Sequence, residues 1–379
     1  MSLFACDSHG ERLLSHLAGA WFGPAAAPWV RKVIRYGSWC IGVSSLGYLL
    51  CILVMLILFR WVGERWWLLW LPLFMPPHLT LLPLTILFPL GLAFNLRSLA
   101  VSGVILIVIV FGYMGLRFPV TSPPTGTPQL VVMTSNRGNR NKARLTPFIE
   151  AESPDIIAVQ DASRRERKYA RQYPDCHVRG HGEFVLISRL PIASSGLVDE
   201  VLWRNKHPVA ARFELEWGDR RLVVYNVHMP TPRWELGRLM GRGLLKEWAK
   251  YRGWFGRDPA DSVIPSLQER PRLVHGLLGE IKKEQSPVII AGDLNMASWG
   301  YTYSSLTVTL TDAFGERGQG TGFTFPGVTR NPLTGFGPWL RLDYILCDDA
   351  LRPYYAKTEP ASRAQHRAVV AGLVLKNGF

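Results

Sequence analysis

Cysteine is scarce in this chain and scattered where it occurs. Cys6, Cys40, Cys51, Cys176 and Cys347 form no CxxC pair and no metal-ligand spacing, which argues against a thiolate metal centre or a dithiol redox site. Cys40 and Cys51 fall in or beside an apolar run, so only Cys176 and Cys347 are available to pair within the later part of the chain. Acidic residues are also few: 29 Asp and Glu face 43 Lys and Arg, a net charge of +14. That imbalance points to anionic partners such as nucleic acid, phosphorylated metabolites or phospholipid headgroups, although basic residues flanking membrane spans account for part of it. Internal repeats and low-complexity tracts are absent. Ionisable residues are missing from the long apolar stretches of the first third, where only His78 interrupts. Transport needs intramembrane charges, so this third reads as an anchor.

What is present is unevenly divided. The mean hydropathy of +0.08 comes from the first third, while charge crowds into the rest. Residues 1–35 end in Arg31, Lys32 and Arg35, and the long apolar run begins too late for a cleaved signal, so an uncleaved anchor is expected. Residues 40–59 carry no charge, and roughly 20 residues suffice to cross a hydrocarbon core. Trp61, Trp66, Trp67 and Trp70 then gather as an interfacial belt would. Residues 66–95 are uncharged but broken by Pro72, Pro76, Pro77, Pro83 and Pro89, giving one kinked span or two short ones. Residues 98–116 are a further clean span. Residues 1–118 are thus expected to be a tail and anchor of three spans (40–59, 66–95, 98–116), with four as the alternative. Arg31, Lys32 and Arg35 favour an inner N-terminus, which with three spans makes an integral membrane protein whose later domain lies outside the cytoplasm.

Residues 119–128, with Pro123, Pro124 and Gly126, read as a stiff Pro-rich linker. From Gln129 to Phe379 strands alternate with helices. The most informative stretch is Val288–Asn295, Val-Ile-Ile-Ala-Gly-Asp-Leu-Asn, a buried strand that stops at Gly292 and presents Asp293 and Asn295 beyond it. Other strands are expected at Leu130–Met133, Ile156–Val159, Glu183–Ser188, Val209–Glu216, Arg221–Val227, Leu342–Leu346 and Val369–Leu375, with helices over 140–152 and 265–284. Asn136, Asp161, His228, Asp293 and Asn295 each follow the apolar core of such a strand. Asp343 lies within a late strand and His366 precedes the last. Any one has an ordinary explanation as a turn or cap residue. Together they predict polar groups gathered at one rim of a sheet.

These words, in this order, resemble the endonuclease/exonuclease/phosphatase superfamily, with its deoxyribonuclease/neutral-sphingomyelinase-like fold. Val288–Asn295 is similar to the family's "GD(F/L)N", Asp155–Asp161 to "DIIxLQE" and Asn226–His228 to "NTH". Arg341–Ile345 is similar to "RIDYI", Gln365–Val369 to "SDHxPV" and Phe184–Ile192 to "aIlSRxPI". The likeness covers roughly 129–375 and suggests a membrane-anchored, bacterial-type member. It implies an α/β four-layer sandwich, two mixed β-sheets flanked by helices. It also implies a Mg²⁺-dependent phosphoric ester hydrolase of the phosphodiesterase, nuclease or phosphatase type, with Mn²⁺ as a substitute ion. Asn136, Asp161 and Gln365 would then serve the metal. Asp343 would orient His366 as general base or electrostatic partner, Asp293 would align the attacking water, and Asn295 and His228 would donate to phosphoryl oxygens.

Two positions depart from the family pattern. Asp161 stands where the family has Glu, one methylene shorter and roughly 1.5 Å less reach. Gln365 replaces the acidic residue of "SDH" and carries no charge. The alternative is therefore a catalytically degenerate member that binds a phosphorylated or lipid ligand, or scaffolds other membrane proteins. Arg238, Arg242, Lys246 and Lys250, spaced by four within 233–257 among aromatic residues, fit an anionic surface or a solvated face equally. A domain held outside the cytoplasm favours a lipid headgroup or small phosphodiester over nucleic acid.

Overall fold

The computed structural model describes residues 27–118, 129–138, 145–204, 206–239, 264–327, 334–335, 337–360 and 364–376. The tail, the Pro-rich linker and Arg242, Lys246 and Lys250 of the basic segment lie outside the described residues. The chain forms two compact units, Met1–Leu58 with Pro76–Gly115, and Phe59–Met75 with Leu116–Phe379.

The first unit contains helices long and apolar enough to cross a membrane. Among the described residues these are Pro28–Trp61, whose last turn enters the second unit, Pro77–Phe94 and Leu96–Tyr113. Ile52, Leu84, Ile105 and Ile109 pack at their centre, while Leu50, Ile86, Leu92 and Ile107 are exposed, as apolar side chains facing a hydrocarbon solvent would be. Asn95 joins the helices: its side-chain oxygen caps Arg97 and Ser98 N–H, and its amide donates to the Ser38 carbonyl at 3.0 Å. Gly91 permits their contact, since a Cβ there would lie 3.1 Å from the Leu99 nitrogen.

The second unit is the expected four-layer sandwich. Its strands, in chain order, are β1 (Gln129–Asn136), β2 (Ile156–Gln160), β3 (His177–His181), β4 (Phe184–Ser188), β5 (Ile192–Leu197), β6 (Leu202–Trp203) and β7 (His207–Pro208). They continue with β8 (Ala210–Trp217), β9 (Arg220–His228), β10 (Val288–Asp293), β11 (Thr311–Asp312), β12 (Asp343–Cys347), β13 (Leu351–Thr358) and β14 (Val369–Leu375). One six-stranded sheet runs β13-β14-β1-β2-β4-β3 and the other β11-β12-β10-β9-β8-β5. The period-2 alternation of the strands sorts their side chains. Val132, Ile156, Leu186, Phe213, Val224, Ile289 and Ile345 fill the space between the sheets. Alternate residues face outward: Met133, Ile157 and Ile187 meet Phe148 and Tyr169 of the helices Thr146–Glu152 and Glu166–Gln172. Val288 and Ile290 meet Leu273, Leu277 and Leu306 of the helices Ile264–Ile281 and Tyr301–Thr307. Cys176 and Cys347 are both free thiols, the latter buried between the sheets.

Phe59–Met75 belongs to this unit, and Trp67 and Trp70 are buried against Leu239. Residues 66–75 were apolar enough to extend the following span in sequence; that apolarity serves a protein core. Glu64, 1% exposed, accepts bonds from Thr302 N at 3.1 Å and Thr302 Oγ1 at 2.5 Å, while Trp70 Nε1 donates to the Glu64 carbonyl at 2.9 Å. Trp299 Nε1 donates to the Leu73 carbonyl at 3.0 Å. Gly63 (φ +44°) must be glycine, because a Cβ would stand 2.6 Å from the Tyr301 nitrogen. Burial pushes the Glu64 carboxyl above its ordinary range against the opposing Thr302 bonds. Glu64→Gln is therefore expected to keep the full chain near native stability. Glu64→Ala orphans the Thr302 donors and should cost about 1–3 kcal/mol. Denaturant unfolding followed by tryptophan fluorescence measures both, and equal stability of the two variants would contradict this account.

Candidate active site

Strand direction explains why distant polar residues meet. β1 runs parallel to β2 and β9 parallel to β10, so Asn136, Gln160, His228 and Asp293 all end at one edge. β12 is antiparallel to β10 and places Asp343 directly opposite Asp293. β14 is antiparallel to β1, pairing Val369 with Thr134 and leaving His366 just before that edge. Asn226 fastens the two sheets there, donating to the Val159 and Val185 carbonyls at 3.1 Å each and accepting from Gln160 Nε2 at 2.7 Å. Gly292 is required by close approach: a Cβ would sit 1.9 Å from the Val227 carbonyl oxygen.

A cavity of ≈ 280 Å³ opens at this edge, lined by Asn136, Gly138, Asp161, His228, Thr231, Arg233, Asp293, Asn295, Phe325, Gln365 and His366. Seven of the eight residues singled out in the sequence are on its wall. The eighth, Asp343, lies behind His366 and accepts its Nδ1 at 3.0 Å. Asp293 is at the centre and 1% exposed. Its Oδ2 accepts from Asn136 Nδ2 at 2.8 Å and lies 3.5 Å from His366 Nδ1 and 3.8 Å from His228 Nε2. Its Oδ1 accepts from Asn295 N at 3.0 Å. Asn295 Nδ2 gives one hydrogen to the Met229 carbonyl at 2.8 Å, and the amide retains a second.

Asp161 and Asn295 both adopt left-handed backbone, φ +52° and +48°. Asn and Asp tolerate that region best among non-glycine residues, and such positions cluster at functional sites. Asp161 Oδ2 and Asn136 Oδ1 face the same space, 3.1 and 3.6 Å from where a Cβ on Gly138 would be. The absent Cβ leaves a concavity between two oxygen donors, the hard ligands that suit Mg²⁺ or Mn²⁺. Asp293, Asp343 and His366 also bring ligand atoms within 4.8 Å of one another, and Asp343 Oδ1 is buried with no hydrogen-bond partner. The donor set fits a divalent cation.

Sequence reasoning missed Glu183, whose Oε2 meets His228 Nδ1 at 3.1 Å. It precedes β4, and because β4 is antiparallel to β2 its start lies at the edge where β2 ends. Counting strand starts as well as strand ends would have found it. Thr324, whose hydroxyl accepts from Leu342 and Asp343 N–H at 3.1 and 3.3 Å, and Phe325, 4.8 Å from the His366 ring, lie in irregular chain that gives no periodic signal.

Burial alone would lower the His228 imidazole, but the Glu183 bond and the charges of Asp293 and Asp161 outweigh it, pushing the group up to about 9. His366 is likewise raised despite burial, by the Asp343 and Asp293 carboxylates. His228 thus gains a stabilising charge in the folded state. That contribution is full below its ordinary 6.5 and is lost as pH rises through about 9. In the metal-free chain, NMR should place the His228 midpoint well above 6.5, and Glu183→Gln should move it down. A native midpoint at or below 6.5 would contradict the electrostatics.

A sequence model described as the endonuclease/exonuclease/phosphatase family matches residues 94–364. A comparison with curated proteins gives no match. Similar solved structures include an endonuclease/exonuclease/phosphatase from Bacteroides vulgatus, 14% identical, covering 66% of this chain and 100% of that one, with a TM-score of 0.47. A D. rerio TDP2 complexed with single-strand DNA product is 11% identical, over 65% and 98% of the two chains, at 0.45. A 3′ phosphatase NExo from Neisseria bound to product DNA hairpin is 15% identical, over 64% and 98%, at 0.43.

Proposed function

Since the chain belongs to the endonuclease/exonuclease/phosphatase family of phosphate ester hydrolases, we propose that it is a membrane-anchored, metal-dependent member that turns over. The observation that carries this reading is the convergence of seven polar residues on one cavity with Asp343 braced behind His366. Asn136 and Asp161 would hold Mg²⁺ or Mn²⁺, with Gln365 contributing its amide oxygen. A bound cation neutralises charge on the phosphoryl oxygens. Asp343 engages His366 Nδ1, leaving Nε2 as the nitrogen available to a reacting oxygen. Asp293 aligns the attacking water against the phosphorus. His228, fixed through Nδ1 by Glu183, offers Nε2–H to a phosphoryl oxygen, as Asn295 does with its remaining amide hydrogen.

The departures at Asp161 and Gln365 favour testing the degenerate reading directly. The native chain is expected to hydrolyse a simple phosphodiester such as bis(p-nitrophenyl) phosphate, with loss of activity in chelator and recovery in Mg²⁺. Asp161→Glu with Gln365→Asp should lower the Mg²⁺ concentration for half-activity. His366→Ala should cost on the order of 10²–10⁴-fold in kcat in both backgrounds. Turnover that survives His366→Ala removes the mechanism. Turnover only in the doubly restored chain identifies a binding protein.

Membrane topology is part of the same proposal. Glu64 and Thr302 are bonded within one compact unit, which supports a reading in which the chain on either side of the apolar helices Pro77–Phe94 and Leu96–Tyr113 shares one face of a bilayer. Two crossings between them satisfy this; with Pro28–Trp61 the total is three. Arg31, Lys32 and Arg35 beside the first helix favour a cytoplasmic N-terminus. A phosphatase reporter fused after Phe379 should be active only outside the cytoplasm. Activity on the cytoplasmic side would reverse the orientation.

A further inference from the structure

A second cavity adjoins the polar one, and its chemistry differs. It has a volume of ≈ 510 Å³ and walls that include Phe74, Leu236, Leu340 and Leu342. Asn295, Phe325, Gln365 and Arg233 border both spaces. A molecule whose phosphate lies among the polar groups thus has apolar volume immediately beside it. Arg233 stands at the junction, its guanidinium 5.9 Å from the Phe325 ring, where it can meet a phosphate oxygen while the attached group passes the aromatic face.

We infer that this cavity receives the hydrocarbon chain of a lipid phosphoester whose phosphate occupies the catalytic cavity. The inference rests on the hydrolase reading above and adds the substrate class. Two observations favour a hydrocarbon over a nucleobase, which the aromatic walls could also stack against. The leucines supply aliphatic surface and no base-edge readout. Phe74 comes from Phe59–Met75, outside the family-matched residues 94–364 and three residues in sequence before the apolar helix that opens at Pro77. Leu236, Leu340 and Leu342 lie within the matched residues, and Phe74 closes the wall from the segment between the apolar helices. The volume falls within the range of small-molecule sites, roughly 300–1,000 Å³.

The test uses the full chain held in an amphipathic polymer, which avoids competing detergent and lipid. The substrates are p-nitrophenyl phosphodiesters bearing methyl, butyl, hexyl or octyl groups. Water adds to phosphorus, the bond to the p-nitrophenyl oxygen breaks, and the products are alkyl phosphate, p-nitrophenolate and a proton. kcat/KM should rise roughly fourfold per added methylene until the cavity fills, the equivalent of about 0.8 kcal/mol each. Leu236→Asp should flatten that dependence, lowering the octyl-to-methyl ratio. Gly237→Phe, at an exposed lining position where a Cβ meets nothing within 4 Å, should lower the same ratio without disturbing packed neighbours. Rates independent of chain length overturn the inference and leave the hydrolase reading intact. So does faster turnover of thymidine 5′-(p-nitrophenyl phosphate) than of the octyl ester. If no ester is hydrolysed, the hydrolase reading fails and calorimetry decides the cavity alone: octyl phosphate binding more tightly than methyl phosphate, with the difference lost in Gly237→Phe, supports it, and equal binding overturns it.

Discussion

A carboxylate withdrawn from water holds this site together. Asp293 gives up nearly all its hydration, which is tolerable only where donors replace the lost water. Asn136 and Asn295 supply two of them, and the rings of His228 and His366 stand close by. Asn136 comes from the opposite sheet, so the bond that satisfies the charge also ties the two halves of the sandwich at their working edge. Gly292 allows β10 to approach β9 closely enough to present that carboxylate. A side chain at residue 292 would force the strands apart and misplace it.

Some residues beside the cavity serve its framework. Arg341 is buried, paired with Asp312 at 2.6 Å and set over the rings of Tyr303, Phe314 and Tyr344. Tyr344 donates to the Arg341 and Met296 carbonyls. Both flank Asp343 and fix the start of β12, so the carboxylate behind His366 has little freedom to turn. Their contribution is orientation: a buried ion pair stabilises little in itself, while a misplaced orienting group costs rate steeply.

The core strands and the gathering of polar residues at their ends were legible in the sequence because alternation and strand direction are local properties. Val288–Asn295 shows the logic: its uninterrupted apolar run marks a strand buried on both faces, and the glycine marks where that run gives way to polar residues. Glu183 was hidden because its effect depends on the antiparallel pairing of β4 with β2, a long-range fact. Thr324 and Phe325 act from irregular chain held by bonds to residues far along the sequence. Trp66, Trp67 and Trp70 were ambiguous for another reason. An indole at a membrane boundary and an indole in a core have the same composition signature, and it is the burial of Trp67 and Trp70 against Leu239 that distinguishes them.

The placement of Phe59–Met75 also governs how the protein comes into being. Glu64 leaves the ribosome 238 residues before Thr302, an interval on the order of tens of seconds at ordinary synthesis rates. Throughout that interval its carboxyl group lacks the Thr302 donors that satisfy it in the finished fold. The earliest piece of this unit to be made is thus among the last to be secured, and that part of its core closes only once Thr302 has been made. A protein cut at the linker, however complete its sheets, would be born with that part of its interior open.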